Sequence, residues 1–160
     1  MNVFLWNVFL AAVWAFALAD LSLANLLLGF VLGFVVLWLG REVVGASRYC
    51  ARAPRLIELL LFFLWEVLVA NLRIARDVVT PKHRMRAGII AVPLDARTDE
   101  EITLLAAMIT LTPGTLSLGV SNDRRLLYVH VMYIRDADNL DAERRALKDG
   151  FERRLLEVLR

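Results

Sequence analysis

From Met1 to Gly40 the only ionisable side chain is Asp20. A chain that opens on so long an apolar stretch cannot leave it in water, and in hydrocarbon the backbone must satisfy its own hydrogen bonds, so helices are expected. "VFLWNVFLAAVWAFALA" (Val3 to Ala19) is an apolar run of 17 residues, the lower end of spanning length, and Leu21 to Leu39 is a second of 19. Asp20, Leu21 and Ser22 leave room only for a tight turn, which makes the two helices antiparallel neighbours. Gly29 and Gly33 form a G-x-x-x-G on the second helix, and Ala11, Ala15 and Ala19 a small-residue stripe on the first, so the backbones can approach closely. The first run also admits a signal-peptide reading, with Ala17-Leu18-Ala19 as the cleavage pattern, although no basic residue precedes it.

With 59% hydrophobic residues and a mean hydropathy of +0.57 over 160 residues, the chain is too apolar for an ordinary soluble domain and too short for a complete many-helix transporter. The net charge is only +2, yet it is unevenly placed. Arg41, Arg48, Arg52 and Arg55 follow the second run directly, and the positive-inside rule puts them in the cytoplasm. The expected location is therefore the cell (inner) membrane, multi-pass, with the C-terminal part cytoplasmic. Cys50, alone of its kind, cannot form an internal disulfide and reads as a free thiol or a lipidation site.

"LIELLLFFLWEVLVANL" (Leu56 to Leu72) is long enough to span but carries Glu58, Glu66 and Asn71. At 100° per residue Arg55, Glu58, Glu66, Arg73 and Arg76 fall within a sector roughly 80° wide, a helix with a narrow polar stripe. It lies along the interface, or packs the stripe against partner helices as a third membrane helix. Glu58 and Glu66 are candidate membrane-embedded acids, read either as paired structural carboxylates or as proton-relay groups. The basic cluster Arg73, Arg76, Lys82, His83, Arg84 and Arg86 suits membrane lipids. No nucleic acid is expected, because exposed aromatics do not accompany the charge.

After Pro81 the pattern becomes that of a compact unit. Ala87 to Leu94 reads as a strand; Thr98 with Glu101 is a capping box opening a helix with Ile102, Leu105, Ala106 and Ile109 on its apolar face. Pro113-Gly114 stops that helix in a type II turn, and Thr115 to Val120 and Leu126 to Ile134 are strands joined by Ser121-Asn122-Asp123-Arg124. A last helix, about Asp138 to Leu159, places Leu140, Leu147, Phe151, Leu155 and Val158 on one side, with Gly150 a weak spot. The expected fold class is thus membrane α plus a small cytoplasmic α+β domain. A transmembrane helical hairpin occupies residues 1–40, a basic loop and amphipathic or membrane-associated helix 41–80, and a β-α-β-β-α unit 81–160.

Active-site patterns are missing from this unit. "GTLSLG" lacks the G-x-S-x-G spacing around Ser117, and it enters a strand instead of leaving one for a helix. His130 sits mid-strand with Tyr128 and Met132 on its face, a structural position. Two histidines and one cysteine are too few for a zinc site, and no Walker or Rossmann glycine pattern implies a cofactor. Neither catalytic residues nor a metal or cofactor are expected.

"LTPGTLSLGV" followed by "LLYVHVMYI" resembles the E subunit of the Mrp-type multisubunit cation/proton antiporters, also called Mnh or Pha systems. The resemblance extends along nearly the whole chain: an apolar N-terminal pair, an E-x-L-x-x-N-like element at Glu66 to Asn71, and Ala87-Gly88-Ile89-Ile90 where the family has PGIV-like residues. The departure is greatest at Arg86-Ala87, where proline commonly precedes the glycine, and it bears only on how the first strand begins. The resemblance implies a non-catalytic assembly subunit of a complex that exports Na+ or K+ in exchange for H+, with the paths on the large A and D subunits. Its partners would be the other subunits, in a hetero-oligomer. Thr112, Pro113, Gly114, Thr115 and His130 are then structural motif residues. A self-standing membrane-anchored domain that binds a ligand or signalling protein is the rival.

Overall fold

The computed structural model describes residues 3–80, 86–134 and 137–160. Contacts divide the chain into two compact units, Met1–Pro54 and Arg55–Arg160, with the boundary inside a helix. Lys82, His83 and Arg84 of the basic cluster lie outside the described residues.

In the first unit α1 (Val3–Ala17) and α2 (Leu23–Leu39) form a hairpin. Both are shorter than the apolar runs that contain them, at 15 and 17 residues. Ala19 turns the chain with a left-handed φ of +51°, and Ser22 caps α2 by accepting from Asn25 N. Asp20 completes the turn by accepting from Ser22 N and Asn25 Nδ2. The apolar runs predict two full spans here; no helix among the described residues is long and apolar enough to cross a membrane.

The small residues form the seam between these helices. A Cβ on Gly29 would lie 2.9 Å from the carbonyl oxygen of Ala11, and one on Gly33 2.4 Å from Asn7 Oδ1. Ala11 and Ala15 are buried, whereas Ala19 sits exposed in the turn. Asn7 interrupts the first apolar run and is wholly buried, donating from Nδ2 to the hydroxyl of Tyr49 at 2.9 Å. Cys50 is a buried free thiol packed with Leu37 and Ala46.

Helix α3 (Ser47–Val79) begins earlier than the apolar segment suggests and runs through Pro54, so Arg48, Arg52 and Arg55 are helical. From Arg55 onward the chain builds the second unit: β1 (Gly88–Pro93), α4 (Asp99–Leu111), β2 (Thr115–Val120), β3 (Leu126–Val131) and α5 (Ala137–Arg145). A π-helical segment, Ala146–Glu152, leads without a break into α6 (Arg153–Leu159). The sheet is antiparallel in the order β1-β3-β2, with Ile90 opposite Val129 and Val92 opposite Leu127, and a bulge at Ser117/Gly119. Its inner face buries Ile90, Val92, Leu127, Val129 and Val131 against Leu105 and Ile109 of α4, Leu147, Phe151 and Leu155 of the C-terminal helices, and Leu59 of α3.

Part of the polar stripe of α3 is engaged by its own domain. Glu58 pairs with Arg154 at 3.2 Å, the Arg154 guanidinium lies 4.2 Å from the Phe62 ring centroid, and Phe62 meets Phe151 edge-on. Gly150 admits Phe62: a Cβ there would lie 3.0 Å from the tip of that ring.

The capping box forms as the sequence pattern predicts, and a second network ties it down. Arg160 Nε donates to Glu101 Oε1 at 3.0 Å, while Arg97 N and Thr98 N donate to the other oxygen. The Arg160 hydrogen bond, followed by that of Arg97 N, lowers the Glu101 carboxyl from its ordinary 4.5 to about 2. A carboxyl whose pKa falls on folding stabilises the fold above pH 4.5, and that contribution is lost as the pH drops through about 2. Thermal unfolding midpoints of the detergent-solubilised chain should therefore fall more steeply over this window in the wild type than in Glu101→Gln.

Candidate functional site

The helix stop at the end of α4 is made by its side chains as much as by its proline. Thr112 Oγ1 donates to Met108 O at 3.0 Å, and the single Thr115 hydroxyl proton is shared between Thr112 O, at 2.9 Å, and Ile109 O, so these side chains cap carbonyls at the end of the helix. Pro113 fixes the approach and Gly114 takes a left-handed φ of +94°. The Gly114 carbonyl then accepts from Met132 N at 2.9 Å, which fastens the turn to the end of β3.

This turn forms one wall of a cleft of about 240 Å³. Opposite it stand Glu66 and Arg73 of α3, and the remaining wall comes from Tyr133, Glu143 and Phe151. Thr112, Pro113, Gly114 and Thr115 thus share one space with Glu66, a residue distant from them in sequence. Glu58 and His130 do not line it. Glu58 is exposed and held by Arg154; His130 is half-buried on the outer face of the sheet, opposite Ile89 and Leu116, with no hydrogen bond to its imidazole among the described residues.

Acidic groups outnumber basic ones in the cleft, Glu66 and Glu143 against Arg73. The Arg73 guanidinium lies 5.4 Å from the Tyr133 ring centroid. Burial raises the Glu143 carboxyl above the ordinary range, Arg73 opposes this and the charge of Glu66 adds to it. Burial and the neighbouring Asp77 raise the Tyr133 hydroxyl, which is buried without a well-aligned hydrogen-bond partner. Two carboxylates, one guanidinium and a phenolic hydroxyl suit a cleft that receives a polar or cationic group from outside. No set of three metal-ligating side chains occurs among the described residues.

Sequence reasoning put Arg73 on one stripe with Glu66 but missed Tyr133 and Glu143 as neighbours, because nothing in their spacing links α3 to the end of β3 or to α5. It also missed Glu152, which is 1% exposed. The i→i+5 bonding of the π segment brings Glu152 almost over Leu147, whereas α-helical phase turns it outward. There Oε1 accepts from Asp95 N and Ala96 N, at 2.6 and 2.8 Å, while Lys148 Nζ lies 2.9 Å from Oε2 as an ion pair that lacks hydrogen-bond alignment. A single glycine, Gly150, was the only local signal of irregular helix.

A family model described as Na+/H+ ion antiporter subunit matches residues 7–158. The chain is 35% identical over 154 residues to the E subunit of the Na(+)/H(+) antiporter of Alkalihalophilus pseudofirmus, covering 96% of each. It is 36% identical over 156 residues to the corresponding E subunit of Bacillus subtilis, covering 98% of this chain and 97% of that one. Among solved structures, a chain of the membrane-bound sulfane sulfur reductase, an archaeal respiratory membrane complex, aligns with a TM-score of 0.55 at 25% identity, covering 97% of this chain and 98% of that chain.

Proposed function

Because the chain belongs to the family of Na+/H+ antiporter E subunits, we propose that it is a non-catalytic assembly and stabilising component of a multisubunit monovalent cation/proton antiporter, one that exports Na+ or K+ in exchange for H+. Its partners are the other subunits of that hetero-oligomer and membrane lipids. The observation that carries this reading is the apolar surface the chain leaves open. Leu5, Phe9, Phe16, Leu27, Val31 and Val36 are exposed around the hairpin, more than an isolated soluble chain tolerates.

A hairpin apolar on all sides is the pattern of helices embedded in a bilayer or among other helices. The 17 residues of α2 rise about 26 Å, a few ångströms short of a hydrocarbon core of about 30 Å, a mismatch that local bilayer thinning absorbs. The arginines after α2 put the following chain, and with it the α+β domain, in the cytoplasm. Helix α3 then lies along the cytoplasmic interface. Part of its stripe is used by its own domain, and its other side is apolar: Leu56, Ile57, Leu61, Leu64, Trp65 and Leu72 are all exposed.

Glu66 supplies the test. In a non-catalytic subunit Glu66→Gln keeps shape and hydrogen bonding, and exchange in proteoliposomes should fall only in proportion to the complex that assembles. Loss of turnover in a fully assembled complex would instead make Glu66 a proton carrier, since glutamine cannot change protonation state.

A further inference from the structure

At the opposite end of the sheet from the Pro113-Gly114 turn, the β1–α4 loop, the β2–β3 turn and α6 enclose a second cleft of about 1020 Å³. Arg97, Arg124, Arg125, Arg153, Arg160 and, from α3, Arg55 line it. We propose that this cleft binds the phosphate-bearing headgroup of an anionic lipid.

Several of the cleft's charges are already engaged. Arg124 pairs with Asp99, Arg153 with Glu157, Arg160 with Glu101, and Lys148 with Asp95 and Glu152. The carboxylate of Asp123 is turned into its own loop, where it accepts from the Ser121 hydroxyl and Arg125 N. Arg97 and Arg125 give only their backbone N–H groups to carboxylates, Glu101 and Asp123, and their guanidinium groups have no acidic partner among the described residues; the Arg55 guanidinium donates to a carbonyl oxygen, that of Glu157, at 3.1 Å. Three guanidinium groups therefore face one cavity with donors to spare, and their planar fork matches phosphate oxygens.

Arg124 holds a left-handed φ of +58°, a conformation that ordinarily favours glycine or asparagine, and it keeps consecutive arginines at the rim. The choice of a lipid over a free phosphate compound rests on the reading of α3 as interfacial: Arg55 immediately precedes Leu56 and Ile57, the start of its exposed apolar face. The mouth of the cleft is then at headgroup level.

The test uses the full chain, purified in detergent and stripped of lipid, titrated with dioctanoyl phosphatidylglycerol, dioctanoyl phosphatidylcholine and inorganic phosphate, with binding read by native mass spectrometry. Phosphatidylglycerol should bind roughly tenfold more tightly than phosphatidylcholine, and Arg97→Ala with Arg125→Ala should remove that preference while the double lysine variant keeps most of it. Equal binding of the two lipids, or a preference that survives the double alanine variant at unchanged helical content, overturns the proposal. Displacement of the lipid by inorganic phosphate at comparable concentration also overturns it, in favour of a free phosphate ligand. The reading of α3 fails separately: with Trp6, Trp14 and Trp38 replaced by phenylalanine, brominated lipid in vesicles should quench Trp65. Unquenched Trp65 beside an intact headgroup preference sinks the interfacial placement and leaves the cleft standing. Quenched Trp65 without a preference sinks the cleft alone.

Discussion

Gly114→Val is expected to lower the yield of assembled antiporter complex sharply while leaving the apparent cation affinity of whatever assembles unchanged. Space is not the obstacle, because a Cβ at this position would meet the Tyr133 ring at an ordinary 3.6 Å. The obstacle is the φ of +94°, which a β-branched residue adopts only with strain on the order of 1–3 kcal/mol. Relief requires the turn to flip, and the turn holds the Gly114 O to Met132 N hydrogen bond and the wall of the cleft that contains Glu66. Gly114→Asn, a residue that visits left-handed backbone readily, should retain most of the yield. Purification of the complex through one of its other subunits, with exchange measured against cation concentration, separates the outcomes. Normal yield with a severalfold change in cation affinity would give the turn a part in transport.

Gly29→Leu is expected to open the α1–α2 seam and abolish cooperative thermal unfolding of the hairpin in detergent. The two atoms nearest to a Cβ at Gly29 are the carbonyl oxygen and Cα of Ala11, at 2.9 and 3.0 Å. These are backbone atoms, so no rotamer change relieves the overlap and the helices must separate; overpacking of this kind costs about 1–3 kcal/mol or more. Gly33→Ala is the informative contrast. Its nearest obstacle is Asn7 Oδ1, the end of a side chain, so it should break the Asn7–Tyr49 hydrogen bond but keep the helices paired. Circular dichroism melts of the three proteins should rank wild type above Gly33→Ala above Gly29→Leu. A Gly29→Leu protein that melts like the wild type would show that the seam is not close-packed.

Features whose cause lies within a few residues were determined by the sequence alone. Thr98 and Glu101 form the capping box because both partners sit on one turn, Pro113 and Gly114 end α4 because neither suits a helix interior there, and β2 occupies the residues its alternation marks. The order β-α-β-β-α and the family resemblance were legible for the same reason. Tertiary structure decided whatever depends on which surfaces meet. Glu58 and Glu66 look alike on one polar stripe, but Arg154 claims the first and the cleft receives the second. Asn7 disappears into the hairpin because Gly33 leaves room for it and Tyr49 satisfies its amide. Glu152 lies inside because a π segment shifts the phase of the C-terminal helix, and its charge is tolerable there because two backbone N–H groups and Lys148 converge on it. Local pattern cannot report such partners: burying a polar group costs free energy until a distant donor or cation arrives, and only the folded chain brings it there.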